Sequence, residues 1–362
     1  MKAWKQLLAL VAVLAIVAAA CGSDTTDTTA AAGSGDGGDD GFIVGVSWNN
    51  YNEERWAKSD EPAIKKAIED AGGTYISADA GSSAEQQLAD VEQLITQGAD
   101  ALIILAQDGT AILPAVQSAL DQGIPVIAYD RLIENPGALY ITFDNVEVGR
   151  IEARVVMGLV PAGNYVIIKG NSADANADFL REGMEEIIGD AVASGDIVIV
   201  GETYTDNWDG ALAQTEMEQF LTQENNNIQA VLVENDGMAT GVVAALEAQG
   251  LAGQVVVSGQ DGDAAALNRV ALGTQAVSVW KDARALGKAA GEAAVALAQG
   301  TALGDISGVI TFDSPGGNSM TTILLAPTPI TQDNLPVVLD AGHIDEATLC
   351  QNVPAGSVTG CP

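Results

Sequence analysis

The sequence predicts an α/β protein of two similar lobes, each a parallel sheet covered by helices on both faces. Short, near-continuous apolar runs rich in β-branched residues alternate with amphipathic stretches, the pattern of strands buried on both sides by helices. About ten such strands can be counted, too many for one sheet at this spacing. The strand-like run Leu139–Phe143 falls between two sets. The 362 residues suit about two domains, and 48% hydrophobic residues are ample for two cores. A single large doubly wound sheet is the architectural alternative.

In the first set, Phe42–Trp48 (FIVGVSW) reads as a strand and Pro62–Ala71 as a helix, with Pro in its first turn and Gly72-Gly73 at its end. A strand at Thr74–Ala78 precedes a helix that opens on Ser82-Ser83-Ala84-Glu85, a capping-box pattern. Leu88, Val91, Leu94 and Ile95 keep helical spacing there, and Gly98 stops it. Ala101–Leu105 is a strand, Ile112–Leu120 a helix ending near Gly123, and Ile124–Tyr129 a strand. The pattern restarts beyond Phe143 with strands at Tyr165–Lys169, Ile197–Gly201, Ala230–Glu234 and Val255–Gly259. Helices are expected around Phe179–Ile188, Gly210–Leu221 and Ala239–Gln249; a last strand, Ala276–Trp280, leads into the Ala-rich helix Ala283–Gly300.

Before the folded part stands a leader. Lys2 and Lys5 precede the apolar run Leu7–Ala20, which ends in small residues, as a secretory signal does. The run is too short for a comfortable span of about 20 apolar residues. Ala18-Ala19-Ala20-Cys21 resembles a bacterial lipobox, whose Cys is lipidated and becomes the mature N-terminus; an ordinary signal peptide is the plainer alternative. Gly22 to Gly41 has no large apolar residue and is expected to act as a flexible tether. Cys350 and Cys361 would then sit in an oxidising compartment, where a local disulfide is expected rather than free thiols or a metal pair.

Charge narrows the function. With 49 acidic against 15 basic residues the net charge is -34, a field that repels phosphate backbones, so no nucleic-acid partner is expected. The single histidine, His343, excludes a His-ligated metal cluster and leaves little room for a Ser-His-Asp relay. No P-loop or HExxH is present, and neither cofactor nor metal is expected.

The polar residues instead collect beyond the carboxyl ends of strands, where parallel sheets bind ligands. Asn49, Asn50, Glu54, Arg55, Trp56 and Lys58 follow the first strand, and Asp130 and Arg131 follow IPVIAY. Asn171, Asp174 and Asn176 follow YVIIKG, and Asp206, Asn207 and Trp208 lie beyond IVIVG. Asn235 and Asp236, Gln260 and Asp261, and finally Lys281 close three more strands. Together these supply carboxylates, amides, cations and two indoles from both lobes. Bidentate charged donors and acceptors match vicinal hydroxyls, and an indole face packs on the C–H face of a pyranose. The chemistry fits a small neutral polyol. Taken singly, each residue has a plainer role: Asp and Asn cap helices, a Trp is core, Arg131 is a solvated loop charge. Capping does not, however, require aromatics and cations at matching strand ends.

Six stretches carry a resemblance. Asn52-Glu53-Glu54-Arg55-Trp56, Ala128-Tyr129-Asp130-Arg131, Phe143-Asp144-Asn145 with Val148-Gly149, Asp174-Ala175-Asn176-Ala177, Val233-Glu234-Asn235-Asp236 and Ser258-Gly259-Gln260-Asp261 resemble, in order, those of periplasmic sugar-binding proteins of ABC importers. The likeness runs from Phe42 to the Thr328–Cys350 region. It implies the type I periplasmic binding protein fold, two Rossmann-like lobes joined by three crossings, with residues 42–143 and 281–318 in the first lobe and 144–280 and 319–362 in the second. Ile141–Asp144, the stretch near Trp280-Lys281 and a return near Thr321–Leu325 become the hinge candidates. It also implies that Arg55, Asp130, Arg131, Asp174, Asn176, Asn235, Asp261 and Lys281 hydrogen-bond a monosaccharide, D-xylose first, while Trp56 and Trp208 sandwich its ring. The implied partner is an ABC permease, the implied location the outer side of the membrane on a lipid anchor, and the implied state a monomer without enzymatic activity. Trp48 and Gly262-Asp263 depart from the pattern and are expected to reshape the pocket. A sugar or autoinducer receptor feeding a sensor kinase, and a glycosidase using an Asp pair from Asp130, Asp174 and Asp261, are the alternatives.

Overall fold

The computed structural model describes residues 41–362. The leader, Cys21 and the tether before Gly41 lie outside the described residues. Strand β1 (Ile43–Trp48), helix α1 (Glu61–Asp70), β2 (Thr74–Asp79), α2 (Ala84–Thr96), β3 (Ala101–Ile104), α3 (Leu113–Asp121), β4 (Val126–Tyr129) and β5 (Leu139–Phe143) follow in order. Every residue of β3, β4 and β5 is buried, whereas β2 is largely exposed because it forms the sheet edge. Helix α2 starts one residue later than the capping box suggests: Ser83, not Ser82, accepts from the Gln86 N–H at 3.1 Å.

The chain then enters the second lobe with α4 (Asn145–Leu159), β6 (Gly163–Lys169), α5 (Ala175–Ser194), β7 (Ile197–Tyr204), α6 (Gly210–Gln223), β8 (Ala230–Val233), α7 (Asp236–Ala248) and β9 (Val256–Val257). Helices α4 and α5 approach so closely that a Cβ on Gly149 would run into the Leu180 carbonyl, and one on Gly183 into that of Val146. The expected strand Val255–Gly259 breaks after Val257, and β10 (Gln260–Asp261) pairs with a second small sheet. There it lies parallel to β11 (Ser278–Trp280), which follows α8 (Ala264–Leu272). Backbone bonds from Ala276 N to Val257 O and from Val279 N to Gly259 O, both 2.8 Å, join the two pieces.

Helix α9 (Ala283–Ala298) returns to the first lobe, where Leu286, Ala290, Ala294 and Leu297 share a core with Val44, Ile64 and Ile68. Strands β12 (Ile310–Asp313) and β13 (Ser319–Leu325) form a hairpin on the first sheet, β13 running parallel to β5. That sheet therefore has seven strands in the order β12-β13-β5-β4-β3-β1-β2. Residues 319–325 were expected in the second lobe; the pairing with β5 puts them in the first, and the chain crosses back only between Leu325 and β14 (Thr328–Ile330). The physical reason is that β13 supplies a partner for the free edge of β5, a pairing that no local pattern announces. Strand β14 lies antiparallel to β11. The crossings at Phe143 and Leu325 run side by side, joined by a bond from Asp144 N to Leu325 O of 3.0 Å.

Helices α10 (Pro336–Asp340) and α11 (Glu346–Leu349) end the chain on α8, around a small core of Leu267, Val270, Leu335, Val338 and Leu349. Cys350 and Cys361 are joined in a disulfide across eleven positions. Closing a loop of that length stabilises by about 3 kcal/mol. The double variant C350S/C361S is therefore expected to open this segment in native-state hydrogen exchange at lower free energy by about that amount. Unchanged protection of residues 335–349 would show that the disulfide does not brace the segment.

Candidate functional site

All ten side chains named as ligand-binding candidates line one small polar cavity between the lobes, together with Glu53 and Gln260. Larger surface hollows elsewhere contain no buried cation. The first lobe contributes Trp56 from a single π-helical turn, Trp56–Asp60, that leads into α1, Arg55 just before that turn, and Asp130 and Arg131 from the end of β4. Such turns are rare and frequent at functional sites. The second lobe contributes Asp174 and Asn176 at the start of α5, Trp208 from a 3₁₀ turn after β7, Asn235 before α7, and β10; Lys281 follows β11.

Capping and cavity roles coexist. Asp174 caps α5 by accepting from Asn176 N at 3.0 Å, and its other oxygen takes Arg131 Nε at 2.9 Å. Asn235 caps α7 through Oδ1, which accepts from Met238 N at 2.8 Å, while the residue lines the cavity.

Two buried guanidinium groups organise the centre. Arg55 forms a fork with Asp60, Nη2 to Oδ1 at 2.8 Å and Nε to Oδ2 at 3.1 Å, and its Nη1 lies 3.2 Å from Asp130 and 3.4 Å from Asp261. Arg131 reaches Asp174, donates from Nη2 to Glu53 at 3.2 Å, and from Nη1 to the Ala106 carbonyl at 3.2 Å. The Arg55–Asp261 and Arg131–Asp174 pairs run from one lobe to the other. Asn176 Nδ2 donates across the gap to Asp130 O at 3.2 Å and Gln107 Nε2 to Asn207 Oδ1 at 2.8 Å, so the lobes are closed on each other. Lys281 is buried and has no carboxylate within 4.0 Å among the described residues.

The indoles are differently placed. Trp208 lies flat on Gly170, where any Cβ would strike its ring. Trp56 carries the Arg55 guanidinium carbon 4.4 Å from its ring centre and packs against Trp48, 6.4 Å away. Trp48 itself is a core residue that donates to the Tyr75 hydroxyl at 3.1 Å and does not line the cavity, contrary to expectation. Gly262-Asp263 also stays outside; both N–H groups donate to Asp236 Oδ2 at 3.0 Å. Ser278 and Gln275 complete the grip on Asp236, which thereby holds the turn after Asp261 in place.

Strain and unmet hydrogen bonds mark the same spot. Of the eight non-glycine residues with left-handed φ among the described residues, four are Asp130, Asn207, Trp208 and Asp261, a conformation that costs on the order of 1–3 kcal/mol each and clusters at binding sites. Trp208 Nε1 and Gln260 Oε1 are buried without a hydrogen-bond partner among the described residues. Buried polar atoms are nearly always paired, so two unpaired ones on residues lining one cavity leave hydrogen-bonding capacity there.

Sequence reasoning missed Glu53, which lies in a quoted motif but looks like its neighbour Glu54, a partner of Lys58 on the surface. Asp60 and Tyr129, which bond to each other behind Arg55, were missed too, because only the fold brings them together. Asn49, Asn50, Glu54, Lys58, Asn171, Asp206, Asn207 and Asp236 sit at strand ends but do not line the cavity.

Burial dominates the ionisation of the acids. It pushes Asp60 up from 3.8 to about 6 despite Arg55, and Asp236 up from 3.8 to about 7 despite Arg269. Glu53 and Asp174 are raised by burial against the pull of Arg131. A carboxyl whose folded pKa exceeds its unfolded value holds a proton the unfolded chain has released. Folding is therefore penalised at neutral pH, and the penalty is relieved as pH falls from about 7 to about 4. The melting temperature is expected to rise over that window, and in D236N to rise less steeply; equal slopes in both proteins would refute the assignment to Asp236.

Residues 44–302 match the model of a periplasmic binding protein domain. The D-xylose-binding periplasmic protein of Escherichia coli (strain K12) is 36% identical over 303 residues, covering 83% of this chain and 90% of that protein. The D-xylose-binding periplasmic protein of Haemophilus influenzae is 33% identical over 307 residues, 84% of this chain and 91% of that one. Among solved structures, an ABC transporter solute-binding protein from Clostridium phytofermentans with bound β-D-glucose superposes with a TM-score of 0.77 at 27% identity, covering 85% of this chain and 99% of its own. With sheets of seven, four and three strands and three crossings, the chain belongs to the periplasmic binding protein family and has the type I fold of that family.

Proposed function

We propose that this protein captures one neutral monosaccharide, D-xylose first, between its lobes and delivers it to an ABC permease. One observation carries the reading: Arg55 and Arg131 each meet carboxylates of both lobes in a cavity that also holds the unpaired Lys281, an indole, and two polar atoms, Trp208 Nε1 and Gln260 Oε1, without partners among the described residues. Alternating donors and acceptors suit the vicinal hydroxyls of a sugar, and charge-assisted bonds in a desolvated site are roughly twice as strong as neutral ones. The two D-xylose-binding relatives and the glucose-bound solute-binding protein support the ligand class. Closure is a population shift: a ligand that bridges both lobes binds the closed form better and so favours it.

The same geometry argues against the glycosidase alternative. Asp130 lies against Arg55 and Asp174 is held by Arg131 and by its cap, so neither is free to protonate a leaving group. Export and lipidation at Cys21 complete the proposal, placing the protein on the outer face of the membrane as a monomer.

Titrating intrinsic Trp fluorescence with D-xylose, D-glucose, D-ribose and D-arabinose is expected to show saturable, stoichiometric binding without turnover. W208A is expected to weaken the best ligand by about tenfold, ~1.4 kcal/mol; an unchanged affinity would remove Trp208 from the stacking role, and product formation would favour the enzyme. Changing Cys21 to Ser is expected to move the full-length protein from the membrane to the soluble fraction; continued membrane recovery would exclude the anchor.

A further inference from the structure

The cavity's cations are not equivalent. Arg55 keeps an acid of its own lobe, Asp60, in a two-bond fork, with Asp130 beside it. Lys281 has no paired carboxylate among the described residues, and it stands at the crossing between lobes. Arg131 has two acid partners: Asp174 belongs to the second lobe and Glu53 to the first. When the lobes separate, Asp174 leaves with its own lobe, and Glu53 is the carboxylate that stays with Arg131. Its orientation is fixed, because one oxygen takes Arg131 Nη2 at 3.2 Å and the other takes Trp56 Nε1 at 2.5 Å. The side chain is 9% exposed and lines the cavity.

An open site with an unpaired buried guanidinium would attract any small anion, since an arginine fork matches a carboxylate in two parallel bonds. A sugar acid would dock its carboxylate on Arg131 before closure and compete with the neutral sugar. We propose that Glu53 is a specificity-determining residue, which occupies Arg131 in the open protein and so excludes acidic sugars from a site built for neutral ones. Discrimination here comes from a like charge set against the wrong ligand rather than from an added bond to the right one. The same carboxylate holds the Trp56 N–H, which ties the rejection of anions to the position of the indole.

This rests on the monosaccharide reading, and the test separates the two. Affinities of the parent, E53Q and E53A for D-xylose, D-glucose and D-glucuronate are measured by calorimetric titration, with melting temperatures as a check on folding. Glutamine keeps the shape and an acceptor oxygen but removes the charge; alanine removes both. The preference for neutral sugar over glucuronate is expected to fall about tenfold in both variants, with the neutral sugar itself losing less than that. A preference within about twofold of the parent in either folded variant, or glucuronate still undetected in both, overturns the role of Glu53 while leaving the monosaccharide reading intact. A parent protein that binds none of the neutral sugars overturns both.

Discussion

Two arginines hold the molecule's functional state. Arg55 and Arg131 are buried, each is anchored to an acid of the first lobe, and each reaches a carboxylate of the second. Taking a guanidinium out of water is costly unless nearly every donor is used, and each arginine already has first-lobe partners, Asp60 and Asp130 for Arg55, Glu53 and the Ala106 carbonyl for Arg131. The closed arrangement adds a carboxylate of the second lobe to each of them. Other features follow from it: the strained backbone at Asp130 and Asp261 aims their carboxylates at Arg55, and the four-fold grip on Asp236 keeps the second of them in place.

Most of the architecture was legible because its signals are local. The apolar runs of β1, β3, β4, β6 and β8 announce themselves, and the Pro and Gly punctuation of α1 marks its limits. What stayed hidden is non-local. Strand β13 alternates buried and partly buried residues without a strong pattern, and only its pairing with β5 shows which lobe it serves. The strand expected over Val255–Gly259 is cut in two because the Gly259 region turns the chain from one sheet to the next, with β10 reduced to two residues.

The cavity was readable for a different reason. Ligand residues in open α/β sheets gather at strand ends, so the combination of cations, acids and indoles at those ends is visible in one dimension. The combination over-selects, however. Asn49, Lys58 and Asn171 have the right position along the chain, but their turns point them elsewhere. Glu53 shows the opposite failure: an acid beside another acid gives no hint of which is buried, and only the fold brings Arg131 to one of them.

The three passages between lobes also have a mechanical meaning. Two of them leave neighbouring parallel strands, β5 and β13, and are stitched together at Asp144 and Leu325. Paired strands resist stretching and shearing far more than they resist twisting. Such a link between the lobes acts like an axle, which favours turning over sliding. It would keep Asp174 and Asp261 aligned with the arginines they meet here by the stiffness of two adjacent strands alone.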